Sequence, residues 1–124
     1  MKDKKNVLGG ALIACCHAPK TGYFRDGYCR TDDSDHGRHV ICAEMTESFL
    51  RFTRAQGNDL STPRPEFGFP GLQPGNRWCL CAVRWREAWE EGQAPSVILE
   101  ACEESALEIV SLDALKDHAI HAMH

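Results

Sequence analysis

Gly57-Asn-Asp-Leu-Ser-Thr-Pro-Arg-Pro-Glu-Phe-Gly-Phe-Pro-Gly-Leu-Gln-Pro-Gly-Asn-Arg-Trp-Cys-Leu-Cys81 is the stretch around which the chain is organised. Four of the six prolines and four of the ten glycines fall inside it. Proline fixes φ and removes a donor, and glycine opens φ > 0, so this run neither continues a helix nor pairs as a central strand. It is not a solvated linker either. Leu60, Phe67, Phe69, Leu72 and Trp78 give it apolar surface that a linker lacks. A long loop stiffened by proline and pinned by aromatics packs across a domain or carries function. Its own end, from Trp78 to Val83, reads as a strand, with Cys79 and Cys81 on one face.

Working outward on the N-terminal side, His39 to Met45 reads as a strand and Thr46 as the cap of a helix. Phe49, Leu50 and Thr53 give that helix an apolar stripe, and Gly57 stops it. Thr31 to Gly37 is a polar loop. Asp26-Gly27 between Tyr23-Phe24 and Tyr28-Cys29 predicts a hairpin turn. Val7-Leu8 opens the domain and Gly9-Gly10 makes a turn. An alternative takes Met1 to Cys15 as a processed leader, because Leu12-Ile-Ala-Cys15 has the small-residue spacing of a lipoprotein box. That reading anchors the protein to lipid through Cys15.

On the C-terminal side a helix is predicted with Trp85, Ala88 and Trp89 on its inner face and Gly92 as its stop. Val97–Leu99 and Leu107–Val110 are predicted short strands about a polar turn at Glu103-Glu-Ser105. Ser111 caps a last helix running to about Ala122. The sum is an α+β chain: a small mixed or antiparallel sheet, about three helices, and the 57–77 loop packed on one side. We expect residues 1–5 to be disordered and residues 6–122 to form a single domain.

Composition sets the outer limits. With 124 residues, 43% hydrophobic and 26% charged, the chain is long enough for one real core. A net charge of −4 and the absence of a Lys/Arg stripe argue against nucleic acid. No apolar run suggests a membrane span. Seven cysteines are an odd number and show no paired framework, which fits a reducing cytoplasm.

Three sets of residues carry candidate chemistry. Cys29, Cys42, Cys79, Cys81 and His39 offer thiolate and imidazole ligands for a metal, with zinc the natural choice, although C-x-C lacks the usual zinc spacing. Cys15-Cys16-His17 and His36 add to that pool. Against it stands the reading of the cysteines as buried thiols packing as small hydrophobes. A reactive thiol is the third alternative, with Arg77 and Arg84 flanking the C-x-C strand. The second set, Asn58, Asp59, Ser61, Thr62, Arg64 and Glu66 with Trp78, is a candidate ligand-binding site, with local turn chemistry as its competitor. Third, Ser61 or Cys79 with a distant histidine would make a nucleophilic pair, though no nucleophile elbow is present. His118, His121 and His124 recur every third residue near the end of the chain, where a solvated terminus explains them.

Asn6-Val-Leu-Gly-Gly10, Thr21-Gly22, Arg25-Asp-Gly27, Gly57 to Glu66, Phe69-Pro-Gly-Leu72 and Trp78-Cys-Leu-Cys81 resemble a widespread family catalogued only as a domain of unknown function, numbered 2237. The resemblance spans nearly the whole chain. It implies a small cytosolic single-domain protein of bacteria and plants, with no established activity and no catalytic residue to transfer. It also weakens the lipoprotein reading, because Asn6 to Gly10 resembles the start of the family's domain. At Cys102-Glu103 the chain departs from the Thr-His that members often carry. Two functional readings result. The first is a binding or structural module centred on the 57–77 loop and the Cys79–Cys81 strand, taking a small molecule or a protein partner as monomer or homodimer. The second is a metal- or thiol-dependent enzyme, which requires at least three of its Cys/His side chains to converge.

Overall fold

His39-Val-Ile-Cys-Ala-Glu44 is β-branched and apolar at its centre, and in the computed structural model it forms the central strand, β1. The structure describes residues 5–16, 21, 26–31, 35, 38–67 and 69–120. Four strands form one mixed sheet in the order β2-β1-β3-β4. Strand β2 (Arg77–Cys81) and strand β3 (Ser96–Ile98) flank β1, both antiparallel to it, and β4 (Ala119–Ile120) runs parallel to β3. Val40, Ile41, Cys42 and Ala43 are fully buried, as expected of a strand covered on both faces.

Helix α1 (Glu47–Ala55) begins where the capping chemistry puts it: the Phe49 amide donates to Thr46 Oγ1 at 3.1 Å. Phe49, Leu50 and Thr53 face the core. Helix α2 (Ala82–Glu90) begins directly after β2, so the strand expected to run to Val83 ends at Cys81, which holds the N-cap position without a side-chain capping bond. Its buried face is Ala82, Trp85 and Ala88; Trp89, expected inward, is 43% exposed. Spacing of three residues sets that face, and Trp89 falls at its rim. The Trp85 indole N–H donates to Pro95 O at 3.1 Å, so the largest buried side chain has its one donor satisfied.

Two expectations at the C-terminal end are overturned. Leu107–Val110 is not a strand: Glu104–Glu108 winds as a 3-10 helix. The buried Glu103 carboxylate caps it by accepting from the Ser105 amide at 2.9 Å. A short apolar run has no period of its own, and the cap decides between helix and strand. Ser111 does cap helix α3 (Leu112–Asp117), with the Ala114 amide donating at 3.1 Å, but the helix stops at Asp117. Ala119 and Ile120 instead leave it to pair with β3.

The N-terminal segment belongs to the sheet's surroundings. Asn6 Oδ1 accepts from the amides of Leu8 and Gly10, closing the turn through Gly9, and Val7 N–H donates to Cys102 O at 2.9 Å. The expected hairpin is present only as its turn. The Tyr28 amide donates to Asp26 Oδ1 and Gly27 adopts φ +90°, but Tyr28 and Cys29 join no strand. Tyr23 and Phe24 lie outside the described residues. The 57–77 loop packs against the sheet end. Phe69 meets Trp78 edge-on at 5.2 Å, Leu72 N–H donates to Leu60 O, and Gly75 N–H donates to Met45 O. Gly71 is irreplaceable on geometry: it adopts φ +80°, and an added Cβ would lie 2.6 Å from Ser61 O. No described helix is long and apolar enough to cross a membrane.

Candidate functional site: a four-cysteine core beside a Cys-His-Asp set

The antiparallel register of β1 and β2 sets Cys42 directly across from Cys79. Directly opposed residues share a sheet face, so their sulfurs start as neighbours. The N-terminal segment then lays two more cysteines over them. Cys15 N–H donates to Gly27 O at 2.7 Å, Gly27 N–H to Thr21 O at 2.9 Å, and Cys79 N–H to the buried Thr21 hydroxyl at 2.8 Å. These bonds carry Cys15 and Cys29 onto the Cys42–Cys79 pair. Cys15 is bonded to Cys42 and Cys29 to Cys79. The sulfurs of Cys15, Cys29 and Cys79 lie within 4.8 Å of one another, so the two disulfides form one buried cluster.

Three of the five candidate metal ligands, Cys29, Cys42 and Cys79, therefore converge, and Cys15, from the wider pool of thiols, joins them as a fourth member. Cys15 is buried and its sulfur is bonded to Cys42, so a lipid thioether there would first need that bond opened. The pairing also corrects the picture of the cysteines as unpaired thiols. Four of the seven are cross-linked, and Cys16, Cys81 and Cys102 are free of disulfides. The reason is spatial: positions 27 and 50 residues apart are joined, which no local spacing announces.

Cys102 lies in the core with Sγ 3.8 Å from Cys42 O. Burial pushes its thiol up to about 12, with Glu100 adding to the effect, so it stays protonated and inert at neutral pH.

The other two candidate ligands, His39 and Cys81, stand apart from the sulfur core but next to each other, as partners in the β1–β2 ladder. Cys81 is half-buried. His39 Nδ1 is 2.7 Å from Asp35 Oδ1. Asp35 Oδ2 accepts from the His39 amide at 2.9 Å and the Thr31 hydroxyl at 3.0 Å. Asp35 is 3% exposed. Burial alone would raise its carboxyl, but the bonds from His39 and Thr31 outweigh it and hold the group below the usual carboxylate range. Asp35 lies within the polar stretch Thr31 to Gly37, whose composition alone does not single it out. The available signal was its spacing: four residues before His39, it can bond both the amide and the ring of the same residue. Between them Arg38 adopts φ +53°, a left-handed conformation uncommon outside glycine, and its carbonyl accepts from Val40 and Ala82.

Within the candidate ligand set of the loop, Asp59, Ser61 and Thr62 bond one another. Asp59 accepts from the Ser61 amide, the Thr62 amide and the Thr62 hydroxyl; these bonds, the Thr62 hydroxyl first, lower its carboxyl. Asn58 Nδ2 donates to Thr53 Oγ1. Arg64 bridges Phe69 through the backbone, Glu66 is exposed in a 3-10 turn, and Trp78 is buried. Ser61 does border an open cavity of about 250 Å³ between the loop and α1, with Arg51 and Arg54 on the helix side. Neither Ser61 nor Cys79 meets a histidine among the described contacts: Ser61 turns into the Asp59 cap and Cys79 is bonded to Cys29. His118 Nδ1 lies 3.1 Å from Ala114 O and its ring packs edge-on to Trp85, while His121 and His124 lie outside the described residues.

No curated protein matches the chain. The family model that does match covers residues 5–119 and is described as an uncharacterized protein conserved in bacteria, DUF2237. With nearly its whole length matched, the chain belongs to that uncharacterised family.

Proposed function

We propose that the chain is a thiol–disulfide protein whose redox centre is the cluster of Cys15, Cys29, Cys42 and Cys79. The observation that carries this is the meeting of three sulfurs from distant positions within 4.8 Å, in two adjacent disulfides. Full reduction takes up four electrons and four protons, turning two disulfides into four thiols. The cytosolic setting that the family resemblance implies supports the reading, because disulfides in a reducing compartment are usually transient, catalytic or redox-sensing. The partners would be small or protein thiols and disulfides.

The test is a thiol count on untagged protein at controlled thiol/disulfide ratios, by alkylation and mass spectrometry, with elemental analysis alongside. The expected result is three alkylated cysteines in denatured oxidised protein and seven after reduction, reversibly and without loss of fold. Disulfides that open only on unfolding would make the pair purely structural. Near-stoichiometric metal with all thiols reduced would make the four sulfurs a metal centre instead.

The reading of the chain as a binding module at the 57–77 loop has the open cavity of about 250 Å³ beside α1 in its favour. Chemical-shift changes confined to Arg51, Arg54 and Ser61 on screening small anions would support it; a silent screen would leave the loop a packing element.

A further inference from the structure

Regular pairing of β1 with β2 would set Val40 across from Cys81, since Ile41 pairs Leu80 and Cys42 pairs Cys79. Instead the register slips between His39 and Ile41, and His39 takes the place opposite Cys81. Such a bulge re-aims one side chain at the cost of ladder regularity, and bulges recur next to active sites. Here the cost is visible in the left-handed backbone of Arg38. Strain of this kind persists where surrounding structure over-determines it. Asp35 supplies that determination. Its buried carboxylate holds both the amide and Nδ1 of His39, and the Arg38 carbonyl is tied to Ala82 at the start of α2.

The slip therefore puts Cys81 across the ladder from His39, whose ring is bonded to the buried Asp35 carboxylate. Directly opposed residues have Cβ atoms roughly 4.5–5.5 Å apart and point to one face. Nδ1 is held by Asp35, so Nε2 is the nitrogen that can meet the thiol. A nucleophile beside a base that a third group orients is the arrangement of nucleophilic catalysis. Cys81 also shares its strand face with Cys79, two residues back, which carries one of the core disulfides.

We propose that Cys81 is the thiol through which this protein exchanges with external disulfides, with His39 as its general base and Asp35 as the residue that positions His39. The inference rests on the redox reading, for which it names the point of entry. In the exchange the Cys81 thiol passes its proton to His39 Nε2. Its sulfur attacks one sulfur of a small-molecule disulfide RSSR, and the S–S bond breaks as the Cys81–S–S–R bond forms. The departing RS⁻ takes the proton from the imidazolium. One disulfide is lost and one is made, so no further oxidant or reductant is needed. Among the described residues on the adjoining elements, Arg38 pairs with Glu108 at 3.3 Å and Arg84 with Glu87 at 3.3 Å. Of the two other cysteines outside the disulfides, Cys102 is buried and Cys16 competes for reagent.

The experiment uses the full chain carrying Cys16→Ser, treated with oxidised glutathione and with a chromogenic aromatic disulfide. Rates are followed at fixed pH, and the mixed disulfide is located by peptide mass. Cys81 should take up the label, and Cys81→Ser should abolish the signal. His39→Asn should slow it by about tenfold or more. Free imidazole should restore part of the rate to His39→Gly and leave the parent unchanged, a response that a merely structural loss does not give. Asp35→Asn should slow the reaction less than His39→Asn and alter its dependence on pH. Should Asp35→Asn fail to fold, the His39 variants still decide, because that side chain is 40% exposed. Rates equal in parent and folded His39→Asn, or no imidazole rescue, overturn the inference. The state of the core disulfides is read from the same digests. The redox reading is decided separately, by whether the core disulfides open reversibly when the same folded protein is held with a dithiol reductant, whereas rates independent of His39 sink the inference whatever the core does.

Discussion

Opening the Cys29–Cys79 bond should cost as much stability as truncating one of the largest buried side chains. The bond closes a loop with a sequence separation of 50 residues. In the chain-entropy account, a closure of that length removes freedom from the unfolded chain worth about 4 kcal/mol near room temperature. Cys15–Cys42, with a separation of 27, contributes about 3.5 kcal/mol on the same footing. The loops interleave, so the two figures do not add. The clean measurement is thermal unfolding of Cys15→Ala/Cys42→Ala with and without reductant. Reduction then removes one link and keeps both of its sulfur atoms in the core. A chain of 124 residues loses roughly 4 °C of Tm per kcal/mol, so the expected drop is about 15 °C. Alkylation and mass spectrometry must show the bond formed before reduction and open after it. A drop below about 3 °C under those conditions would refute the argument, since it would mean that the reduced chain is already constrained over this span.

Further outcomes test other parts of the structure. Gly71→Ala, which combines φ +80° with a 2.6 Å approach to Ser61 O, should cost about 3 kcal/mol or more, read by urea unfolding. Gly57→Ala, at φ +95° with open space around it, should cost nearer 1 kcal/mol. Trp85→Phe removes the donor to Pro95 O and leaves a void at a fully buried site, for an expected loss of about 2–4 kcal/mol. Asp35 is held below the usual carboxylate range in the folded chain, so its contribution to stability is present above the ordinary aspartate pKa. That contribution is lost as the pH falls through the lowered folded value. Wild type should therefore exceed Asp35→Asn in Tm at neutral pH, and the gap should close in acid; a gap that widens in acid would reverse the sign of the argument.

Local chemistry was legible wherever it closes within a few residues. Thr46 and Ser111 announce helix starts because a hydroxyl reaches an amide three residues on, and both bonds form. The apolar centre of β1 and the turn at Gly9-Gly10 needed no partner to be read. The stretch from Leu107 to Val110 failed because a short apolar run is silent about period, and Glu103 decided it from outside the run. The Asp59 turn engages Ser61 and Thr62 of the candidate ligand site by bonds that the same residue types equally predicted.

The sequence by itself determined the class of fold, the caps of α1 and α3, the stiffened loop and the family. Only tertiary structure decided which cysteines pair, because disulfide partners are chosen by where Cα atoms end up in space and not by their spacing along the chain. Four sulfurs from a turn-laden N-terminal segment and two adjacent strands meet only once the β1–β2 register and the Thr21–Cys79 bond exist. The same holds for Cys81 and His39. Their separation of 42 positions carries no periodic signal, and a one-residue slip in a ladder brings them face to face.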